Sequence, residues 1–229
     1  MSDMEKRPAK RAKLAHDTPN INGEVLDVEV GAGAEQKIFH IHKDVLEESP
    51  FFKNAVKPAW AAARGDHPID LTDENPDIAD VYFSWLYSRI LRVSEKWESL
   101  KYAQLYVFGE KLMHCEFQND VINAMIRYFV GMDTRKDSGS VNITIIPGAR
   151  AITTIYEGTI QGSPARRLMV DRWCEGHPFR EVEQYRNHIP HDFAWDYLKA
   201  FLSSNPIQHK SFADPSLYHI EEAEKDRQA

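Results

Sequence analysis

The chain has 229 residues, 42% of them hydrophobic and 11% aromatic, which is enough for one ordinary domain and an attached segment to fold around an apolar core. Its two cysteines show no CxxC spacing, which argues against a disulfide framework or a structural zinc site and favours a reducing compartment. The formal net charge is −7. Because the first residues are basic, the rest is more acidic still, which argues against direct nucleic-acid binding by the folded body.

Residues 1–23 are predicted to form a flexible basic tail, because they carry few bulky apolar side chains that could offset the entropy of ordering. No long apolar stretch follows, so neither a signal peptide nor a membrane span is expected. The tail resembles a monopartite nuclear import signal through its basic residues, which are Lys6, Arg7, Lys10, Arg11 and Lys13. The expected location is therefore the nucleus or the cytoplasm, with the nucleus favoured; a solubilising tail is the alternative.

Three short strands are predicted in the next region. Alternating apolar residues from Val25 to Val30 and from Ile38 to Ile41 flank a Gly-Ala-Gly-Ala turn, which is typical of a hairpin. The glycines fit a turn better than a phosphate-binding loop, because Gln36 occupies the last position of the GxGxxG pattern. The run Ile69–Leu71 predicts the third strand.

Helices are predicted around these strands. A short helix starts near His42, and a second starts at Ser49 and Pro50, with the serine as cap. Asn75 and Pro76 open an amphipathic helix whose apolar face comprises Ile78, Val81, Tyr82, Trp85 and Leu86. Two long helices, mostly core, are expected at about 98–114 and 116–130.

A second region follows a polar stretch, 132–140, that is interpreted as a linker. Residues 141–205 are predicted to be a helical extension, with helices near 151–156, 165–174 and 194–201. With fewer than 100 residues, this extension is expected to pack against the first unit. Residues 206–229 are predicted to be a flexible tail.

Four motifs in series resemble those of BTB/POZ domains. They are the runs from Phe39 to Leu46, from Ser49 to Phe52, from Phe83 to Tyr87 and from Leu105 to Leu112, with Ile69–Leu71 between the second and third. Their order and spacing agree with that family over about 24–131. The stretch from Tyr156 to Asp171 is similar to the region that follows the domain in many fungal members. The resemblance implies an α+β fold, a small β-sheet flanked by α-helices followed by a mainly helical segment, and a role in protein-protein binding without catalysis.

Family members that recruit a cullin scaffold carry a hydrophobic-x-Glu signal after the second helix. The matching positions here are Trp60, Ala61 and Ala62, so the aromatic residue is present and the glutamate is missing. The partner-contact residues that the resemblance implies are Phe52, Val56, Trp60, Ala62 and Tyr82. Ordinary loop packing is the alternative interpretation of Trp60.

The leading functional hypothesis is a non-enzymatic adaptor or scaffold that binds other proteins, as a homo- or hetero-oligomer through the BTB domain. The alternative is a substrate-recruiting adaptor of a cullin-type ubiquitin ligase. Residues 1–23 offer too little apolar surface for an exchanged N-terminal element, which argues against a domain-swapped dimer.

No catalytic residue, metal ligand set or cofactor is predicted. The pair His40 and His42 lacks a third ligand. Ser163, between Gly162 and Pro164, does not fit a GxSxG elbow and is read as a helix cap.

Overall fold

The computed structural model describes residues 22–131, 145–176, 185, 187–202 and 214–221. Its class is α+β, with a small mixed sheet and mostly helices. The strands are β1 (Val25–Val30), β2 (Lys37–His42) and β3 (Ile69–Leu71). The helices are α1 (Lys43–Leu46), α2 (Pro50–Ala55), α3 (Pro58–Arg64), α4 (Pro76–Ser88), α5 (Ser99–Lys111), α6 (Cys115–Phe129), α7 (Ala149–Gly158), α8 (Pro164–Gly176) and α9 (His191–Leu202).

The sheet has β1 at its centre, antiparallel to β2 and parallel to β3. Val28 and Val30 are fully buried, whereas Glu29 between them is half-buried, as expected from the period of two in a strand. Gly31, with φ 79°, turns the chain after β1, and a Cβ there would lie 2.7 Å from Pro76 Cγ. Only glycine fits both the positive φ and this close approach. The predicted hairpin and the predicted third strand are therefore confirmed.

Helix α4 begins as the sequence predicts. The Asn75 side chain accepts hydrogen bonds from the backbone N–H groups of Asp77 (2.8 Å) and Ile78 (3.3 Å), and Pro76 follows at the first helical position. On its inner face Trp85 is buried, and the indole Nε1 donates to Asp120 Oδ2 at 2.9 Å. This bond ties α4 to α6.

The predicted cap at Ser49 is corrected by the structure. Ser49 stands at the N-cap position of α2, but its side chain makes no capping bond. The buried Oγ instead donates to the carbonyl of Leu112 at 3.3 Å. That carbonyl closes α5, where the last C=O groups have no partner within the helix. The hydroxyl therefore links α2 to the end of α5 and leaves its own helix uncapped.

Helices α5 and α6 match the two predicted long helices to within three residues at each end, and they approach closely. Gly109 of α5 permits this approach, because a Cβ there would lie 2.8 Å from Gln118 Cγ and 3.0 Å from a ring carbon of Phe117. Both helices contribute mainly to the core, as expected from their sequence.

The second region packs against the first, as expected. A Cβ on Gly158 of α7 would collide with the side chain of Val107 on α5, so the two helices meet at this glycine. The buried residues of both regions form one continuous apolar cluster. The predicted helices near 151–156, 165–174 and 194–201 are observed as α7, α8 and α9. The proposed linker 132–140 lies outside the described residues.

The predicted flexible tail 206–229 is wrong for residues 214–221. There Pro215–Tyr218 forms a 3₁₀ turn, and Tyr218 and Ile220 are buried against the folded body. The charged residues nearby led to the prediction of a flexible tail. These two side chains nevertheless bury enough apolar surface to order a short segment. The remaining residues of the predicted tail, 206–213 and 222–229, lie outside the described part of the chain, as do residues 1–21 of the predicted basic tail.

Candidate interaction surface

Helices α2 and α3 form a short surface pair, each opened by a proline at its first turn. The α3 helix contains no buried residue. It is tied to α2 by Arg64, whose Nη1 donates to the carbonyl of Ala55 at 2.9 Å. Gly65, with φ 62°, follows it and ends the helix. Because α3 contributes nothing to the core, its outer face is free to serve another purpose.

Trp60 projects from α3 and is 66% exposed. Ala62 on the same helix is exposed, and Val56 between α2 and α3 is half-buried. Such exposure does not fit the alternative interpretation of Trp60 as loop packing. Its exposure leaves Trp60 a candidate contact for a partner, one of several large apolar side chains that the described residues expose.

Two of the residues implied by the family resemblance cannot contact a partner directly. The Phe52 and Tyr82 side chains are fully buried. Phe52 packs against the ring of Phe83, and the Tyr82 hydroxyl lies 2.8 Å from Nδ1 of His114. Burial raises the pKa of Tyr82 above its ordinary value. Both side chains point inward from α2 and α4, so they do not offer a contact to a partner.

The sequence around Trp60 is basic although the chain as a whole is acidic. Lys53 and Lys57 are exposed beside α3, Arg64 is half-buried at its end, and Asp66 is the nearest acidic residue in sequence. The sequence interpretation did not include these lysines. They cluster between acidic stretches, so the sequence alone could have indicated this surface. A local charge opposite in sign to the net charge favours a partner of complementary charge.

The histidine pair of β2 is engaged in hydrogen bonds. His40 Nδ1 lies 2.6 Å from Asp27 Oδ1 across the sheet. His42 Nδ1 lies 2.8 Å from the Tyr87 hydroxyl, which also accepts the backbone N–H of His42 at 3.0 Å. Among the described residues no group of three or more histidine, cysteine, aspartate or glutamate side chains is arranged to hold a metal ion.

The remaining nucleophile candidates are Ser163 and the two cysteines, and their surroundings fit structural roles. Ser163 is buried, with its Oγ 3.4 Å from the hydroxyl of Tyr106, so it lies at the contact between the two regions. Neither Cys115 nor Cys174 forms a disulfide bond. Burial raises the pKa of Cys174 to about 11, so this side chain is a thiol at neutral pH and a poor nucleophile.

No helix in the described part of the chain combines the length and apolar character needed to cross a membrane. The basic cluster Lys6, Arg7, Lys10, Arg11 and Lys13 lies outside the described residues.

The chain was compared with known proteins in three ways. A scan against protein-family models gave no match. Searches of curated proteins and of solved structures gave no significant match either.

Proposed function

We propose that this protein is a non-enzymatic adaptor or scaffold that binds other proteins through a BTB/POZ-type domain. The observation that carries the proposal is Trp60, which is 66% exposed on a helix without any buried residue. Since Trp60 adds little to the fold, its place on an ordered helix beside Lys53 and Lys57 suits a partner that covers it.

The BTB/POZ assignment rests on the motifs, and the positions of their residues are consistent with it. Leu46, Trp85 and Leu112, each from a different motif, are buried in one cluster. These buried positions are consistent with motifs that specify packing. The element order of two strands, three helices, a third strand and further helices agrees with the small sheet flanked by helices that the resemblance implies.

The proposal is tested by affinity purification of the tagged chain in two variants. Trp60→Ala is expected to lose a defined set of bound proteins, because truncating an aromatic anchor typically costs about 2 kcal/mol or more, roughly thirtyfold in affinity. The matched control is Trp195→Ala, since Trp195 on α9 is 59% exposed. Proteins lost only in Trp60→Ala identify the surface. Identical sets from both variants and the parent would refute it.

The alternative, a cullin-type ubiquitin ligase adaptor, is favoured by one specific observation. Trp60 and Ala62 are both exposed at the positions where the family signal stands. The missing glutamate predicts weak binding by the parent, and Ala62→Glu is expected to strengthen it through a charge-assisted contact. Titration calorimetry with a purified cullin N-terminal region decides this. No binding by either protein would eliminate the ligase function while leaving the adaptor function intact.

Nuclear location remains part of the proposal and rests on the basic cluster of the sequence. Replacing Lys10, Arg11 and Lys13 by alanine is expected to move a fluorescent fusion from the nucleus to the cytoplasm. The fusion must be too large to diffuse through nuclear pores, and circular dichroism checks that the fold is unchanged. A fusion that stays nuclear would refute the import signal.

A further inference from the structure

Residues 214–221, named the C-terminal segment here, lie against α6 and α8. After the 3₁₀ turn the backbone is extended at His219, with φ −77° and ψ 145°. The segment pairs with no described strand and continues no described helix. It is held by side chains that reach it from the two helices.

One side chain of α6 binds both polar backbone groups of a single residue. Asn119 Nδ2 donates to the carbonyl of Ile220 at 3.3 Å, and Asn119 Oδ1 accepts the N–H of Ile220 at 2.8 Å. The primary amide offers a donor and an acceptor side by side, which matches the two backbone groups of an extended residue. This contact recognises extended backbone whatever side chain it carries.

The side chains of the segment supply specificity. Tyr218, the last residue of the 3₁₀ turn, and Ile220 are buried, and His219 between them is half-buried. The Tyr218 hydroxyl donates to Asp171 Oδ2 of α8 at 2.7 Å, and His219 Nε2 lies 2.8 Å from Asn123 Oδ1 of α6.

Arg167 of α8 completes the groove. Its guanidinium donates to the carbonyl of Leu217 and lies 5.4 Å from the centre of the Tyr218 ring. A cation over an aromatic face adds to the binding of that ring. The groove therefore recognises a tyrosine through its hydroxyl and its ring. It binds extended backbone through Asn119, and it buries an aliphatic side chain two positions after the tyrosine.

We propose that the groove between α6 and α8 is a binding site for an extended peptide of the pattern Tyr-x-Ile, which the C-terminal segment occupies as an intramolecular ligand. The occupant in trans is a partner protein's segment of the same chemistry. These contacts join side chains of the two helices to the segment. They need no covalent link between the segment and the helices, so a separate peptide could make them as well. Tethering in one chain gives the intramolecular ligand an effective concentration on the order of millimolar, so it masks the site. The site uses none of the α2 and α3 residues on which the proposed function depends.

The test uses the full chain and a fluorescent peptide with the sequence of residues 214–221. The double variant Tyr218→Ala, Ile220→Ala weakens the intramolecular ligand and leaves the groove side chains unchanged. It is expected to bind the peptide at least tenfold more tightly than the parent, as measured by fluorescence anisotropy. Adding Asn119→Ala to this variant should reduce the affinity at least tenfold. A peptide with serine at its Tyr and Ile positions is the control and should not bind.

Two results would overturn the proposal. The first is a folded double variant that binds no peptide at millimolar concentration, and the second is binding that Asn119→Ala does not change. If circular dichroism shows the double variant unfolded, Tyr218→Phe replaces it, since only the hydroxyl bond to Asp171 is lost. Its peptide affinity should rise about fivefold, and no rise would count against the site. A dimer seen by light scattering that dissociates on Tyr218→Ala would assign the segment to a second copy and overturn the intramolecular assignment.

Discussion

The region from β1 to α6 and the region from α7 to the C-terminal segment share one core but depend on different kinds of contact. The first region is built from elements with local signals, such as the turn at Gly31 and the cap at Asn75. The second is positioned by long-range bonds to neighbouring backbone. Arg172 Nε donates to the carbonyl of Ile145 at 2.8 Å, and Trp173 Nε1 donates to that of Pro147 at 2.9 Å.

The side chain of Arg166 fixes the end of α7 through bonds to the backbone. The Arg166 guanidinium donates to the carbonyls of Tyr156 (2.6 Å) and Thr159, and it lies 4.7 Å from the centre of the Tyr156 ring. The comparison teaches that local signals place the turns and helix starts of the first region, whereas the helices of the second region are arranged by side chains that bond to backbone groups and by packing on α5. The experiments below perturb one region, the other, or the contact between them.

The largest expected effect is in the first region. Trp85→Ala should lower the free energy of unfolding by about 3 to 5 kcal/mol, because a large buried side chain is replaced by a cavity. Denaturant unfolding measures the change. The exposed Trp195→Ala is the matched control and should shift stability by less than about 0.5 kcal/mol. Equal unfolding curves for Trp85→Ala and the parent would contradict its place in the core.

Alkaline pH should destabilise the first region through buried tyrosines. Burial raises the pKa values of Tyr82 and Tyr106 above the ordinary value. The stability they contribute is therefore complete below pH 10 and is lost as the pH rises above it, since the unfolded chain releases these protons first. One pH unit above 10 costs about 1.4 kcal/mol for each group.

Denaturant unfolding at pH 9 and pH 11, together with the tyrosinate absorbance, measures this loss. Tyr106→Phe should remove the share of one group, about 1.4 kcal/mol of the loss at pH 11. A phenol of Tyr82 or Tyr106 that ionises near pH 10 in the folded chain would show that it is reached by solvent.

The contact between the regions is tested at Gly158. Gly158→Ala should cost about 1 to 3 kcal/mol, because the added methyl group collides with Val107 and overpacks the contact of α7 with α5. Val107→Ala in the same chain should recover part of this loss, which a double-mutant cycle measures. Gly148→Ala is the control, since a Cβ there meets nothing within 4 Å. Additive losses would show that the two residues do not touch.

The smallest effect is expected at the start of α4. Asn75→Ala should cost about 1 kcal/mol, because the N–H groups of Asp77 and Ile78 lose their acceptor. Asn75→Asp keeps an acceptor oxygen and should stay close to the parent. Thermal unfolding followed by circular dichroism compares them. If alanine and aspartate behave alike, the cap does not stabilise this helix.

Local chemistry made much of the first region predictable from sequence. Strand periodicity, the glycine turn, and the Asn75 and Pro76 start of α4 each depend on a few neighbouring residues, so they could be read directly. The helices of the second region were found in the same way. The basic cluster near the N-terminus is also a property of sequence alone.

The tertiary structure decided which side chains meet. Phe52 and Trp60 are aromatic residues on adjacent short helices, yet the first is fully buried and the second is 66% exposed. No local pattern separates them, because Phe83 of α4 covers Phe52 and no described residue buries Trp60. Likewise, Ser49 bonds to Leu112, and Ile220 bonds to Asn119 a hundred and one positions away. Sequence determined where helices and strands form, and long-range packing determined which of their faces remain available for binding.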